Sequence, residues 1–390
     1  MDAMFDVAIV GAGPAGAWCA TRLAAAGMRV VLIDGSHPRE KPCGGGVTGR
    51  ALAMAGEELR ASESGVRIES ASFTQGSRRA QIRLPSEPLR LAVIARSEFD
   101  LRLVDKATSA GATHVAARVR SFDRHGSAWR LIATDQEIDA RWLIGADGAG
   151  SFVRKRLSHA FGRGDISIAC GYYVHGLTSN RIDIAFEEDP AGYLWSFPRR
   201  DHLAVGICAQ ADAATTATLM PLVDRWLDVN LPESNGLPDA RTRRERYSWP
   251  IPSLTVDAID REVPSGDGWM LIGDAAGLVD PITREGIFFA LHSAEIAAES
   301  LRAARPAASY AEHLRSAVYA ELRRAARIKT RFYRPAFLSL LITSLQRSAA
   351  IRDVMSDLVA GEQPYGTLRG RLLKTMEWRL MLDLFGLGPI

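Results

Sequence analysis

The sequence is short of the residues that would make a metal cluster, a disulfide scaffold or a polyanion-binding surface. Only four cysteines occur in 390 residues, Cys19, Cys43, Cys170 and Cys208. No two of them fall in a C-x-x-C or C/H spacing, so neither a zinc pattern nor a disulfide framework is present. No metal site is expected, and a reducing, cytoplasmic compartment suits such a chain. An excess of one charge is missing too. Against 48 Lys and Arg stand 45 Asp and Glu, without the basic domain of a dedicated nucleic-acid binder. There is no internal repeat and no low-complexity tract. Hydrophobic residues at 47% and charged residues at 24% exclude a disordered chain. At roughly 150 residues per domain, the length points to two or three substructures.

Long unbroken hydrophobic runs are also absent. Between Ala8 and Gly27 the only ionised side chain is Arg22, but Gly11, Gly13, Pro14 and Gly16 interrupt the stretch and no basic segment precedes it. Neither a secretory signal nor a spanning helix is therefore expected, and a phosphate-binding turn explains those residues better. Phe332 to Leu345 is apolar but shorter than the roughly 20 residues that a bilayer span requires. Residues 301–390, which contain it, carry 15 Lys and Arg against 7 Asp and Glu. Basic flanks around an apolar stretch fit a helix that lies on a membrane or closes an apolar tunnel. A buried core helix between solvated arginines fits equally well.

What is present begins at the N-terminus. Phe5 to Val10 is an apolar run of strand length, followed by Gly11-Ala-Gly13-Pro14-Ala15-Gly16. Helix-forming residues then run to Ala26, with Gly27 at a left-handed stop, and Arg29 to Ile33 reads as a second buried strand ending at Asp34. A G-x-G-x-x-G motif gains force from this strand–turn–helix–strand context. Gly11 permits the tight turn, Gly13 the close approach of a pyrophosphate, and Gly16 the packing of helix on strand. The helix N-terminus offers free N–H donors and a partial positive charge to the anion. Asp34 is placed to accept hydrogen bonds from ribose hydroxyls. These residues leave NAD and FAD as alternatives.

A second constellation decides between them. Trp269 to Ile272 reads as a strand running into Gly273-Asp274-Ala275-Ala276-Gly277, then Asp280-Pro281-Ile-Thr-Arg284-Glu285-Gly286 and a long helix from about Ile287 to Leu301. A carboxylate at Asp274, beside small residues, can reach a ribityl hydroxyl. A helix opening near Gly286 and Ile287 would aim N–H groups at the pyrimidine edge of a flavin. Two further pieces are Trp142 to Gly150, containing Asp147, and Ala95 to Leu101. In the latter, Ser97 is placed to cap a helix and Asp100 completes an S-x-x-D box. Three short runs between Thr113 and Leu143, split at Asp123–Gly126 and Asp135–Glu137, read as a β-meander.

On GAGPAG, R-x-x-F-D at Arg96–Asp100, G-A-D-G at Gly145–Gly148 and G-D-A-A-G at Gly273–Gly277, the chain resembles FAD-dependent oxidoreductases of the p-hydroxybenzoate-hydroxylase-like fold. Within that fold, Lys41-Pro42-Cys43-Gly44-Gly45-Gly46 and Gly192-Tyr193-Leu-Trp195-Ser-Phe197-Pro198 are similar to the marks of the geranylgeranyl reductase family. The loop Pro281…Glu285-Gly286-Ile287 fits it as well, with Arg284 where that family often has a small residue. The resemblance implies an α/β fold with three parts. A Rossmann-like FAD-binding domain with a β-meander covers 1–64, 95–165 and 264–304. An inserted, mostly antiparallel β-sheet substrate domain covers 65–94 and 166–263. A C-terminal helical region covers 305–390.

The cofactor is expected to contact Gly11, Gly13, Pro14, Ala15, Gly16, Asp34, Cys43, Gly44, Gly45, Arg96, Asp147, Gly273, Asp274, Pro281, Glu285, Gly286 and Ile287. Tyr193, Trp195 and Phe197 alternate along a strand and so share one face. The resemblance makes that face an aromatic wall for an extended apolar substrate. Cys43 sits before three glycines that let the backbone pass close to a flavin; its thiol fits proton donation, flavin tuning or packing. With Tyr193, Trp195 and Glu285 it forms the candidate catalytic set. Glu285 also has the simpler role of a carboxylate at a helix N-terminus.

There is no second dinucleotide fingerprint, so NADPH or another reduced donor is expected to meet the flavin only transiently. The implied activity is reduction of C=C bonds in an isoprenoid or lipid substrate, with peripheral membrane contact through the C-terminal region and no nucleic-acid partner. The alternatives are an FAD-dependent monooxygenase acting on an aromatic or polyketide compound, and a non-catalytic, electron-carrying flavoprotein. A halogenase signature W-x-W-x-I-P is absent.

Overall fold

The computed structural model describes residues 4–56, 65–85, 88–134, 136–231, 244–375 and 377–386. Four apolar residues in a row, Val30–Ile33, form a strand buried on both faces, and the last four residues of Phe5–Val10 are buried likewise. That continuous burial is what a parallel sheet covered on both sides demands. Phe5–Val10 lies at the centre, parallel to Val30–Ile33 on one side and to Gln136–Gly145 on the other. Thr113–Val115 and Trp269–Leu271 extend the sheet in parallel at either side. The chain order reverses about the central strand, so a crevice opens at the C-terminal strand ends. Val119–His125, Ala128–Ala133 and Gln136–Gly145 form the expected meander by antiparallel pairing; Asp135 of its second turn lies outside the described residues.

A second sheet has seven strands in the order Arg244–Pro252, Ile166–His175, His202–Gln210, Ala191–Pro198, Arg181–Glu188, Ser70–Gln75 and Arg78–Arg83. Every pairing is antiparallel except Arg181–Glu188 with Ser70–Gln75. The segment 65–94 of the expected substrate domain thus divides between sheets. Its ends form a small three-stranded sheet in which Leu91–Ile94 is central, pairing with Gly46–Thr48 on one side and Gly65–Arg67 on the other.

From Pro306 to Phe385 the described chain is helical. Tyr310 and Tyr319 tie this region to the first sheet by donating hydrogen bonds to the carbonyls of Leu271 (2.6 Å) and Ala276 (2.7 Å). The apolar stretch Phe332–Leu345 falls mostly in the helix Pro335–Arg347, whose Phe337, Leu338, Leu341, Ile342 and Leu345 are buried. That helix packs against Ser70–Gln75 and Arg78–Arg83, so the stretch is core on one face and cavity wall on the other. No helix among the described residues is long and apolar enough to cross a membrane.

One local expectation needs correction. The helix Arg96–Ser109 begins two residues earlier than a Ser97 cap requires, and Ala95 occupies the cap position. Arg96 and Asp100, one turn apart, close a buried ion pair of 2.7 Å. Asp100 therefore points inward rather than back to the helix start, and the N–H and hydroxyl of Ser97 both donate to Glu40 at 3.1 Å.

Candidate functional site: a polar groove joined to an apolar cavity

The crevice at the strand ends holds a groove of about 700 Å³. Its floor is shaped by glycine. Gly11 has φ +106, and a Cβ there would lie 2.4 Å from the Ala146 carbonyl oxygen. A Cβ on Gly16 would lie 1.8 Å from the Gly11 carbonyl oxygen, so the helix Pro14–Ala25 can approach the strand only without one. That helix has Gly13 at its cap, Pro14 in its first turn, and neither a side-chain cap nor an acidic residue there. Its first N–H groups are left for an anion.

Gly11, Gly13, Pro14, Ala15, Asp34, Arg96, Asp147 and Asp274 all line the groove. Asp34 already receives four protein donors: the N–H of Ala12 (2.9 Å), the N–H and hydroxyl of Ser36 (both 2.7 Å), and Nδ1 of His37 (2.8 Å). Burial would raise its pKa, but the His37, Ala12 and Ser36 contacts hold it far below the usual carboxylate range. Nε2 of His37 reaches Asp100 at 3.2 Å. Burial pulls the His37 pKa down, yet the hydrogen bonds to Asp100 and Asp34 outweigh it and raise it above the ordinary value. No spacing rule singles out His37; the tertiary approach of its loop to the helix Arg96–Ser109 does. Asp147 accepts from Phe152 (2.6 Å) and Val153 (3.2 Å) and from the Ser151 hydroxyl, and burial raises its pKa.

An apolar cavity of about 290 Å³ adjoins the groove. Pro14, Lys41, Arg96, Trp249, Asp274 and Ala290 line both, and Lys41 pairs with Asp274 across 2.9 Å at this junction. Cys43, Gly44, Gly45, Tyr193, Trp195, Glu285, Gly286 and Ile287 line the cavity. Gly16, Gly273 and Pro281 line neither space. They act through packing: a Cβ on Gly273, for instance, would lie 2.8 Å from Cβ of Ala15.

The loop at Cys43–Gly46 is fixed from behind. Arg199, almost fully buried, pairs with Glu40 at 2.8 Å and donates to the Cys43 carbonyl at 3.2 Å. A Cβ on Gly44 would lie 2.8 Å from the Phe197 ring, and one on Gly45 2.6 Å from the Arg199 guanidinium. The Cys43 sulfur accepts from the Gly45 N–H at 3.2 Å, with Nη1 of Arg96 at 3.8 Å. Glu40 and Arg199 carry no motif that sequence reasoning could have used.

Tyr193, Trp195 and Phe197 all face the cavity, as their alternation requires. The Tyr193 hydroxyl donates to the Thr283 carbonyl at 2.9 Å, and burial drives its pKa far up, so it stays protonated. The Trp195 indole lies over Gly206, where a Cβ would come within 2.4 Å of the ring; its Nε1 is buried without a partner among the described residues. Glu285 accepts from the Thr48 hydroxyl at 2.8 Å and pairs with Arg50. Burial raises its pKa against the opposing Arg50 charge. The far wall comes from the C-terminal helices, including Phe337, Leu341, Ile351, Val354, Leu368 and Leu380.

Residues 4–304 match the family model described as FAD binding domain. The chain belongs to this family. It is an FAD-dependent oxidoreductase, and its relatives bear out the resemblance to geranylgeranyl reductases. A menaquinone reductase of Mycobacterium tuberculosis is 30% identical over 333 residues, covering 77% of each chain. A geranylgeranyl diphosphate reductase of Rhodobacter capsulatus is 29% identical over 323 residues, covering 78% of this chain and 77% of its own. The crystal structure of a geranylgeranyl bacteriochlorophyll reductase-like protein from Thermoplasma acidophilum superposes with a TM-score of 0.76 at 21% identity, over 96% of this chain and 99% of that one. The last of these speaks for the fold of the oxidoreductase, from its mixed α/β sheets to its helical C-terminal region.

Proposed function

We propose that this FAD-dependent oxidoreductase saturates C=C bonds of an isoprenoid chain. The observation that carries the reading is the apolar, aromatic-walled cavity that meets the groove at Pro14, Arg96 and Asp274. The names of the relatives support it: one is a geranylgeranyl diphosphate reductase and another a menaquinone reductase.

The groove fits FAD by two observations, the glycine floor that any Cβ would fill and the unsatisfied helix N-terminus above it. In this reading the turn Gly11–Gly16 holds the pyrophosphate, and Asp34 with Ser36 and His37 shapes the adenosine ribose end. Asp147 and Asp274 flank the middle of the cofactor. Arg96, Cys43–Gly45 and Glu285–Ile287 surround its reactive end. When bound and reduced, by NADPH or another transient donor, FAD supplies a hydride equivalent to one alkene carbon.

The chain's own residues do the rest. Tyr193, Trp195 and Phe197 align an extended apolar chain along one wall. The C-terminal helices exclude water from the opposite wall, which keeps the alkene against the junction. The Tyr193 proton is committed to the Thr283 carbonyl, which makes that residue a positioning group. Cys43, whose thiol lines the cavity beside Arg96, is the group placed to deliver a proton to the second carbon.

Dithionite-reduced protein mixed anaerobically with geranylgeranyl substrates tests the reading. Flavin reoxidation with a gain of about two mass units per double bond is expected. Oxygen-dependent hydroxylation of another compound, with no reoxidation by any prenyl compound, would overturn it in favour of a monooxygenase.

A further inference from the structure

Arg284 is the anomaly of the cavity. It has φ +61, a left-handed conformation that a non-glycine residue adopts only against steric resistance. Its guanidinium donates to the Pro281 carbonyl, yet its Nε is buried with no partner among the described residues. No carboxylate among the described residues forms an ion pair with it. Asp280 uses one oxygen on the N–H groups of Ile282 (2.7 Å) and Thr283 (3.0 Å), and Glu285 is engaged by Thr48 and Arg50. The groups that face Arg284 are the Cys208 thiol, the hydroxyls of Tyr333 and Tyr193 and, with the weakest effect of the four, the Asp280 carboxylate. Those hydroxyls are committed to the carbonyls of Thr283 and Ile282. Its positive charge is felt nearby: burial, followed by Arg284, pushes the Lys329 ammonium down to about 7.

Arg284 lines the apolar cavity on the loop that joins Asp280 to the helix Ile287–Ser300. A strained backbone that holds an under-partnered cation at the wall of a greasy chamber is hard to explain by stability alone. On the reductase reading above, we propose that Arg284 is a specificity-determining residue. Its guanidinium receives an electron-rich oxygen on the prenyl substrate, a quinone carbonyl or a phosphate oxygen, and so sets which part of the chain reaches the junction with the groove. Such a site would discriminate against a hydrocarbon of the same shape, because without the oxygen the buried donors stay unpaired.

The experiment titrates oxidised holoenzyme with a short-chain menaquinone, geranylgeranyl diphosphate and an oxygen-free polyprenyl hydrocarbon, following the flavin absorption band. Wild type should bind at least one oxygen-bearing ligand roughly ten- to hundred-fold more tightly than the hydrocarbon. Arg284→Gly should abolish that preference and leave hydrocarbon affinity unchanged, while Arg284→Lys keeps part of it. The arm that loses affinity identifies the oxygen as carbonyl or phosphate. A melting temperature at or above wild type in Arg284→Gly, from relief of the positive φ, separates loss of the anchor from loss of the fold. Wild-type discrimination persisting in both Arg284→Gly and Arg284→Gln overturns the proposal while the reductase reading stands. Failure of wild type to bind any prenyl compound overturns both.

Discussion

The groove takes most of its walls from short loops at the ends of neighbouring parallel strands, each close in sequence to the strand that positions it. The cavity draws its walls from residues as distant as Cys43, Phe73, Tyr193 and Leu384, brought together by a seven-stranded sheet and a set of C-terminal helices. The two spaces also rest on different cores. Val7, Ile9, Leu32 and Leu143 belong to the cluster beneath the groove, whereas Phe73, Tyr193, Phe337 and Leu341 belong to the one around the cavity. A cofactor site that must present backbone N–H groups at fixed distances is best made from tight local turns. A chamber for a flexible apolar chain needs area, and only large packed surfaces provide it.

This contrast is open to attack by mutation. Gly16→Val strikes the groove where a Cβ would lie 1.8 Å from the Gly11 carbonyl oxygen. It should destabilise the protein by more than about 4 kcal/mol and give colourless material, read from the ratio of flavin to protein absorbance. Colour retained at the wild-type ratio would mean that the turn does not hold the cofactor. Phe337→Ala strikes the cavity, where Phe337 is 2% exposed, and should cost ~3–5 kcal/mol in chemical denaturation. Its flavin content should nevertheless match wild type, since Phe337 belongs to the cavity core. Loss of flavin in that folded variant would show the two cores to be one.

A smaller effect is expected at His37, which lines the groove and links Asp34 to the buried Asp100. Its folded pKa is raised despite the opposing effect of burial. The stabilisation it contributes is therefore complete below the unfolded value of about 6.5. It fades as the pH rises through the higher folded value. Thermal melts across this range should show a decline that His37→Asn removes; an identical pH profile in the variant would contradict the assignment. Smallest is Tyr193→Phe, which removes one hydrogen bond to Thr283 and should cost ~1 kcal/mol. Its main readout is altered substrate positioning, a change in KM larger than that in kcat.

Legibility in the sequence follows the same division. The strand–turn–helix at Phe5–Ala25, the meander at 119–145 and the helix from Ile287 were readable because glycine placement and hydrophobic period are local constraints. The common face of Tyr193, Trp195 and Phe197 was readable from alternation. Ser97 was misread as a cap because the pull of Arg96 and His37 on Asp100 comes from side-chain packing that spacing cannot report. Glu40, Arg199 and the His37 bridge gave no signal at all, since each depends on loops that meet only after the sheets have assembled.

By itself, then, the sequence determined the dinucleotide-type turn, the class of cofactor and the aromatic stripe, because backbone sterics and side-chain period act within a few residues. Only the tertiary structure decided that Phe332–Leu345 closes a chamber and that Arg284 stands in its wall with its Nε unpartnered among the described residues. Both depend on which distant surfaces exclude water together, and burial is a property of the assembled chain.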